Sequence, residues 1–302
     1  MSRSSVLAHI VREDDGTSCA VWGPFVLKSA FQPIFAFHGG KLSVSAFEGL
    51  IRPFRNDVAV PPASFFAALP AMDRFHLETL TRTLHLFNAA ACLPKETALF
   101  VNFDPSVFVD RTIADGALHD MRVTLNEVGI EVSRVVCEVT EQKSASLDAL
   151  HDFVHALRVN GFKIAVDDYG AEDSDIERIK ALRPEIVKFD AHWITHLMES
   201  GPGFGLLSAM VQIFKTRGIV TVFEGIEENW QLELAERSGA SMVQGYVLAR
   251  PELAPTSFAA FPTVALPMPG TSFVRPRAAE VDQPEPPPQS RPPAKTFGRK
   301  IV

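Results

Sequence analysis

Short apolar runs alternate with longer segments of helical period along most of this chain, and this alternation restricts the possible folds more than any other feature. The runs have the length and the β-branched content of strands, and they are Phe31–Phe37, Ser43–Ile51, Ala98–Phe103, Arg134–Thr140, Phe162–Val166, Glu185–Phe189, Ile219–Phe223 and Ser241–Tyr246. Helices are predicted between them, most clearly over Ser146–Leu157, with one apolar face, and over Gln231–Arg237, before Gly239. Eight strands interleaved with helices over roughly 240 residues fit a (β/α)8 barrel, whose usual size is about 250 residues. A doubly wound open sheet is the alternative architecture.

Composition and charge exclude several classes of protein. The chain has 29 Lys and Arg against 36 Asp and Glu, a formal charge of −7, and 46% hydrophobic residues, which is typical of a globular protein. The acidity argues against binding duplex nucleic acid or a membrane surface, because both need a basic face. No run approaches the roughly 18 apolar residues of a membrane span, and no signal-peptide core follows the N-terminus, so a cytoplasmic protein is expected. Cys19, Cys92 and Cys137 lie far apart, which predicts reduced structural thiols.

Three regions are predicted along the chain: an N-terminal extension over residues 1–24, the barrel over 25–262, and a disordered tail over 263–302. Seven of the 22 prolines fall within Pro276–Pro293, a stretch that cannot donate the hydrogen bonds of helix or sheet. The basic end Lys295–Val302 could bind a protein partner, although a solvated linker is the alternative. The apolar residues of the extension are expected to pack under the barrel, and the extension itself is expected to be too short for a sensor domain.

Polar side chains recur at the ends of the predicted strands. They are Glu48, Asn102, Glu138, Glu141, Asp167, Asp168, Lys188, Asp190, Glu224, Glu227 and Gln244. In a barrel the carboxyl ends of the strands meet at one mouth, so these side chains would face a common cavity. Clustered carboxylates must protonate or bind cations, and carboxylate and amide oxygens suit Mg²⁺ or Mn²⁺. Two such ions would clamp the attacking and leaving oxygens of a phosphodiester, and Lys188 could orient the water or neutralise charge on the phosphorane, which predicts metal-assisted phosphodiester hydrolysis.

Each of these residues also has an ordinary structural interpretation. Glu48 or Glu224 alone is typical of a solvated acid at the end of a strand, and an Asp-Asp pair there is typical of a helix N-cap. Asn102 could cap a turn, and Lys188 could be a structural ion-pair partner. The metal site therefore depends on the barrel that would bring these residues together.

Eight segments of the chain carry a family resemblance. In chain order they are Phe31-Gln-Pro-Ile34, Phe47-Glu-Gly-Leu-Ile-Arg52, Val101-Asn-Phe-Asp-Pro105, Cys137-Glu-Val-Thr-Glu141, Val166-Asp-Asp-Tyr-Gly170, Val187-Lys-Phe-Asp190, Phe223-Glu-Gly-Ile-Glu227 and Val243-Gln-Gly-Tyr246. They resemble the signature segments of the EAL-domain family, from about Phe25 to about Pro262. The resemblance implies a modified (β/α)8 TIM-like barrel and a bacterial signalling phosphodiesterase that opens cyclic di-GMP to linear pGpG with two Mg²⁺ or Mn²⁺ ions. It also implies a homodimer.

The same resemblance implies roles for individual residues. The implied metal ligands are Glu48, Asn102, Glu138, Asp167, Asp168 and Glu224. Glu48 would act in catalysis together with Lys188 and Gln244, which match positions that organise the nucleophilic water. Gln32, Leu50 and Arg52 match substrate-binding positions. Glu141 would brace the loop after the fifth strand, and Glu227 would be an acid behind the ligands.

Two departures from the family pattern stand out. Gly49 occupies the place of the alanine in the family's name, a change expected to cost little beyond a methyl group and some strand propensity. The loop Ala171–Asp175 departs further, because Glu172 replaces a glycine and, with Asp173 and Asp175, adds negative charge beside a phosphate site. This loop leaves open a second class of function, a catalytically silent receptor or adaptor that binds cyclic di-GMP or a protein partner. A hydrolase of another phosphodiester is a third possibility.

Overall fold

Strands and helices alternate through the computed structural model, which describes residues 3–104, 111–139, 147–171 and 176–267. The strands are β1 (Ile10–Arg12), β2 (Ser18–Trp22), β3 (Phe25–His38), β4 (Lys41–Arg55), β5 (Val58–Ala59), β6 (Ala98–Phe103), β7 (Val135–Val139), β8 (Lys163–Tyr169), β9 (Ile186–Phe189), β10 (Val220–Phe223), β11 (Met242–Val243) and β12 (Glu252–Leu253). The helices are α1 (Arg3–Leu7), α2 (Pro62–Ala67), α3 (Ala71–Cys92), α4 (Arg111–Val128), α5 (Leu147–Val159), α6 (Ile176–Leu182), α7 (Ala191–Met198), α8 (Gly201–Thr216) and α9 (Asn229–Ser238). None of the helices in the described ranges is long and apolar enough to cross a membrane.

A closed barrel organises these elements. Its strands follow the order β3, β11, β10, β9, β8, β7, β6 and β4, and β4 pairs back onto β3. Neighbours from β4 round to β11 are parallel, whereas β3 is antiparallel to both β4 and β11. The modified (β/α)8 barrel predicted from the sequence is confirmed, and the alternative of an open sheet is wrong because β3 joins its two ends.

The reversed direction of β3 changes how the mouth of the barrel is built. The carboxyl ends of all eight strands were expected to meet there, but β3 reaches the mouth at its middle, where Gln32 pairs with Glu48. The β3–β4 ladder then continues beyond the mouth to the pair Phe25 and Arg55, and β2 and β1 extend it in antiparallel fashion. The N-terminal extension therefore lies on the mouth side of the barrel. The sequence-based expectation that it packs under the barrel is wrong.

Side-chain alternation along the strands produces two apolar layers. One layer faces the helices, and the other fills the barrel interior with Ile34, Ala36, Ala46, Ala98, Phe100, Val136, Ala165, Ile186, Val220, Val222 and Met242. Val264 and Leu266 pack against this interior layer, and Thr263 forms a bridge with Val44. The first residues of the expected tail thus lie against the barrel, while those from 268 onward are outside the described residues.

Strand lengths differ from the predicted runs where distant pairing intervenes. β6 has the predicted bounds, but β3 and β4 extend to 14 and 15 residues because each supports the other beyond the mouth. The last barrel strand contains only Met242 and Val243, because the chain turns away at Gly245. The two helices predicted most clearly form as α5 and α9, and Gly239 ends α9 with φ +85°.

Candidate active site

One polar residue from each barrel strand lies at the mouth, and together these residues form a layer that we call the polar ring. Its members are Gln32, Glu48, Asn102, Glu138, Asp167, Lys188, Glu224 and Gln244. Each lies two positions from a residue of the interior apolar layer, as Glu48 does from Ala46, so strand alternation turns it to the same side. In the reversed strand β3 the order is inverted, and Gln32 precedes Ile34.

Lys188 is the cation of the polar ring, and it is surrounded by carboxylates. Its side chain is 1% exposed, and its Nζ lies 2.5 Å from Glu138 Oε1, 2.7 Å from Glu224 Oε1, 3.1 Å from Asp167 Oδ1 and 3.7 Å from Glu48 Oε2. Burial favours loss of the proton, but attraction by these carboxylates prevails and raises the pKa of Lys188 well above its ordinary value. The ammonium is therefore charged at neutral pH and offsets part of the negative charge around it.

The carboxylates outnumber this ammonium, and their pKa values reflect the imbalance. Burial raises the pKa of Glu138 well above its ordinary value, although Lys188 acts against the shift. Burial also raises the pKa of Glu224 to about 8, and Asp167 and Glu48 add repulsion while Lys188 opposes it. Such carboxyl groups either hold protons or require further cations.

A bulge in β8 brings two consecutive carboxylates to the mouth. The pairing with β9 shifts register between Val166 and Tyr169, and Asp168 adopts φ +56°. Consecutive residues of a regular strand point to opposite faces, so the bulge is what keeps Asp168 beside Asp167. Carboxylate oxygens of Asp167, Asp168 and Glu224 lie within 4.8 Å of one another. Desolvation and the neighbouring Asp167 raise the pKa of the exposed Asp168 carboxyl to about 6.

Close backbone packing holds the last two ring residues. Gln244 Nε2 donates a hydrogen bond of 2.7 Å to Glu48 Oε2, and the Ile226 N–H donates to the Gln244 carbonyl over 3.1 Å. A Cβ added to Gly245 would lie 2.0 Å from the Ile226 carbonyl oxygen, so only glycine fits there. This contact locks the loop after β10, which carries Glu224, against the residues after β11.

Gly49 packs against the ring of His85, which projects from α3. A Cβ added to Gly49 would lie 3.1 Å from His85 Cγ, and His85 Nδ1 is 2.8 Å from Ser29 Oγ. Burial, with repulsion by Arg52 and Arg82, lowers the pKa of His85 to about 3, so the ring is neutral. From the sequence, glycine in place of the family's alanine was expected to cost little. In the structure Gly49 has a specific partner, the His85 ring, behind the strand that carries Glu48.

A buried ion pair behind β6 was missed by the sequence analysis. Arg82 Nη1 donates to Glu78 Oε2 over 2.9 Å, and the Arg82 side chain reaches the end of β6. The available signal was the position of the pair in the helix. Opposite charges at positions i and i+4 normally lie on a solvated helix face, whereas Glu78 and Arg82 lie beside the buried Leu77 and Leu84.

The predicted substrate-binding residues lie on β3 and β4 near Glu48. Leu50 and Arg52 follow Glu48 at successive alternate positions, and both are half-buried. Gln32 is buried and donates a hydrogen bond of 3.3 Å to the Ala249 carbonyl oxygen. Their roles in binding a substrate remain predictions.

The other predicted residues lie further from the polar ring or outside the described ranges. Glu227 is exposed, and its N–H donates to Gln231 Oε1 in the capping box of α9, so its role behind the ligands stays a prediction. Glu141 and residues 172–175 of the altered loop lie outside the described residues.

The donor set of the polar ring fits divalent cations. Glu138 Oε2 and Gln244 Oε1 are buried and have no hydrogen-bond partner among the described residues, so each offers a lone pair. Oxygen donors from carboxylates and amides are the ligands that Mg²⁺ and Mn²⁺ prefer. The fold and the site therefore define a class of barrel protein whose acidic mouth suits divalent cations.

The chain belongs to the EAL domain family, whose model matches residues 26–251. It is 28% identical over 227 residues to the cyclic di-GMP phosphodiesterase RocR of Pseudomonas aeruginosa. This alignment covers 73% of this chain and 56% of RocR. It is 34% identical over 124 residues to YkuI, an uncharacterized EAL-domain containing protein of Bacillus subtilis, covering 41% of this chain and 30% of YkuI. The structure of Klebsiella pneumoniae BlrP1 with calcium and cyclic di-GMP matches with a TM-score of 0.68 and 28% identity, over 75% of this chain and 56% of that one. The chain thus spans little more than half, or less, of these relatives.

Proposed function

We propose that this chain hydrolyses cyclic di-GMP to linear pGpG with the help of two Mg²⁺ or Mn²⁺ ions. Two relatives support this substrate: RocR is a cyclic di-GMP phosphodiesterase, and the structure of BlrP1 is a complex with cyclic di-GMP. Each of the two alignments covers about three quarters of this chain. In the reaction the oxygen of water bonds to one phosphorus, the bond from that phosphorus to the 3′ oxygen breaks, and a proton passes to the 3′ oxygen. The second phosphodiester bond stays intact.

The observation that carries this proposal is the charge of the mouth. Among the described residues, the five carboxylates of Glu48, Glu138, Asp167, Asp168 and Glu224 and the ammonium of Lys188 have a combined formal charge of −4 when all are ionised. Two divalent cations neutralise that charge, whereas one leaves half of it. A site of this kind attracts an anionic phosphodiester only after it has bound the cations.

Metal ions in such a site polarise the phosphodiester and lower the pKa of a bound water. The residues that would hold them are the five carboxylates and Asn102. Gln244 orients Glu48 through their 2.7 Å hydrogen bond, and the Lys188 ammonium holds the surrounding carboxylates in one arrangement. Arg52, on the strand that carries Glu48, would bind a phosphate through its guanidinium.

A silent receptor or adaptor is the second candidate, favoured by the sequence of the altered loop. Glu172 stands where the family has glycine, and Asp173 and Asp175 follow it. A receptor would bind cyclic di-GMP without consuming it and would not need Mg²⁺ for binding.

We also expect a cytoplasmic homodimer whose tail has a protein partner. Size-exclusion chromatography with light scattering would test the dimer, and tail-directed cross-linking would test the partner.

The deciding experiment incubates the purified chain with cyclic di-GMP and Mg²⁺ or Mn²⁺ and follows pGpG by chromatography. We expect product from the wild type and from Glu236→Ala, which removes an exposed acid of α9, but a loss of at least about 10³-fold with Glu48→Ala. Thermal unfolding checks that each variant is folded. Absence of product from the folded wild type with both metals, or turnover that survives Glu48→Ala, would overturn the proposal.

A further inference from the structure

Arg82 of α3 makes a set of contacts that ends at the backbone of the polar ring. Its side chain is buried, and besides the ion pair with Glu78 its Nη1 donates to the Asn102 carbonyl oxygen over 3.4 Å. Its Nη2 lies 3.5 Å from Thr79 Oγ1, and its Cζ stacks 4.1 Å from the centroid of the Phe103 ring. The guanidinium thus contacts two successive residues at the end of β6.

Burying an arginine here is costly, which argues for a specific role. The same helix faces the sheet with Leu77, Leu80 and Leu84, so apolar packing alone would suffice to attach it. Burial lowers the pKa of Arg82, and Glu78 acts against that shift. A buried ion pair rarely adds stability over an apolar contact of the same volume. It does impose a single geometry, because the planar guanidinium must satisfy an acid, a carbonyl and a ring face at once.

Beyond Phe100, β6 has a ladder partner on only one side among the described residues. The ladder with β4 ends at Phe100, whereas the ladder with β7 continues through Asn102 to Phe103. Asn102 therefore lies beyond the last residue that β4 holds, and Arg82 supplies a contact to its carbonyl oxygen. The backbone that carries the Asn102 side chain is fixed by β7 and by Arg82.

We propose that Arg82 is a positioning residue that holds Asn102 in place to bind a divalent cation at the mouth. The inference rests on the proposed function, because it takes Asn102 as a metal ligand. Residues that orient a ligand from behind typically change metal affinity by about 10–100-fold when they are replaced. Loss of the Arg82 contact should therefore weaken metal binding more than its effect on stability would predict.

Arg134 offers a matched control at the opposite end of the same strand. Its Nε donates to the Thr97 carbonyl over 2.9 Å and its Nη2 to the Pro94 carbonyl over 3.2 Å, just before β6 begins. Both arginines thus attach the backbone of β6 or its approach, but only Arg82 attaches the end that carries Asn102. Arg134→Met tests what the loss of such a contact does to stability alone.

The test measures Mn²⁺ binding to the metal-free full chain by calorimetry and by electron paramagnetic resonance, with thermal unfolding in parallel. We expect Arg82→Met to raise the Kd for Mn²⁺ about tenfold or more, and Arg134→Met to change it less than about twofold. Arg82→Lys keeps the charge opposite Glu78 but loses the planar fork, so it should weaken binding several-fold; it replaces Arg82→Met if that variant does not fold. Equal Mn²⁺ affinity in the wild type and in Arg82→Met or Arg82→Lys, or equal losses in the Arg82 and Arg134 variants, would overturn the inference.

The same measurements separate this inference from the proposed function. A wild type that binds Mn²⁺ but makes no pGpG would refute the phosphodiesterase, and the affinities of the Arg82 variants would still decide the positioning role. A wild type that binds no Mn²⁺ would refute both. Added Mn²⁺ at saturating concentration should restore the turnover of Arg82→Met to near that of the wild type, which a role in the chemical step would not allow.

Discussion

Replacing Lys188 by methionine should make the stability of the folded protein depend on divalent cations. The substitution keeps an unbranched side chain one atom shorter than lysine but removes the positive charge that contacts Glu48, Glu138, Asp167 and Glu224. Those carboxylates then face one another without the ammonium. Bound Mg²⁺ or Mn²⁺ can replace the missing charge, and a chelator leaves it unreplaced.

The size of the effect follows from the burial of this cluster. Removing one partner of a buried ion pair typically costs about 3–5 kcal/mol, because the remaining charge stays desolvated. One kcal/mol corresponds to about 2–4 °C in Tm for a domain of roughly this size, so in EDTA the Tm should fall by about 6–20 °C. The raised pKa values of Glu138 and Glu224 mean that these groups take up protons readily. The loss in EDTA should therefore be smaller at pH 5 than at pH 8.

The assay is thermal unfolding of the wild type and variants in EDTA and in millimolar Mg²⁺ or Mn²⁺. Lys163→Met is the control, because Lys163 is half-buried and its ammonium donates to the Ser133 carbonyl at the far end of β8, away from the carboxylates of the mouth. Its loss of stability should be the same with and without metal, whereas that of Lys188→Met should shrink at least by half when metal is added. Equal losses for Lys188→Met in the two buffers would refute the reasoning that the ammonium and the cations neutralise the same carboxylates.

Three further predictions concern packing and acid stability. Gly49→Ala should lower the free energy of unfolding by about 1–2 kcal/mol, and His85→Ala should abolish that cost in a double-mutant cycle in urea; a cost that persists without the ring would contradict the contact. Gly245→Ala should prevent folding or cost more than about 3 kcal/mol by calorimetry, because its methyl would overlap a backbone oxygen of Ile226, while Gly205→Ala, with open space around it, should cost nothing. The pKa of His85 is lowered from 6.5 to about 3, so the unfolded chain binds the extra proton and the folded state loses up to about 5 kcal/mol as the pH falls from 6.5 towards 3. The difference between wild type and His85→Gln in urea titrations should show that loss, and parallel curves would refute it.

Much of the barrel was predictable because its strands and helices follow local periodicity. β6 has the bounds read from its apolar run, and α9 ends at the glycine that signalled its end. The interior layer and the polar ring also follow from strand alternation, since Phe100 and Asn102 lie two residues apart on one face. The family resemblance added roles that alternation does not assign, such as phosphate binding by Arg52.

Other features depend on partners far away in the chain, and local pattern does not encode them. The reversed direction of β3 results from its pairing with both β4 and β11, and Gln32 reaches the mouth only because of it. The bulge that turns Asp168 beside Asp167 follows from the register with β9. A charged pair inside a helix was misleading, because Arg82 reads as a solvated residue until β6 is placed against it.

The amino-acid sequence by itself determined which side chains enter the barrel, because a strand alternates its two faces whatever it pairs with. It thereby selected an acidic layer above an apolar one. Only the tertiary structure decided how those acids are held: Lys188 among four carboxylates, His85 behind Gly49, and Arg82 at the end of β6. The physical reason is that contacts between residues distant in the chain form only when strand order, direction and register are set together.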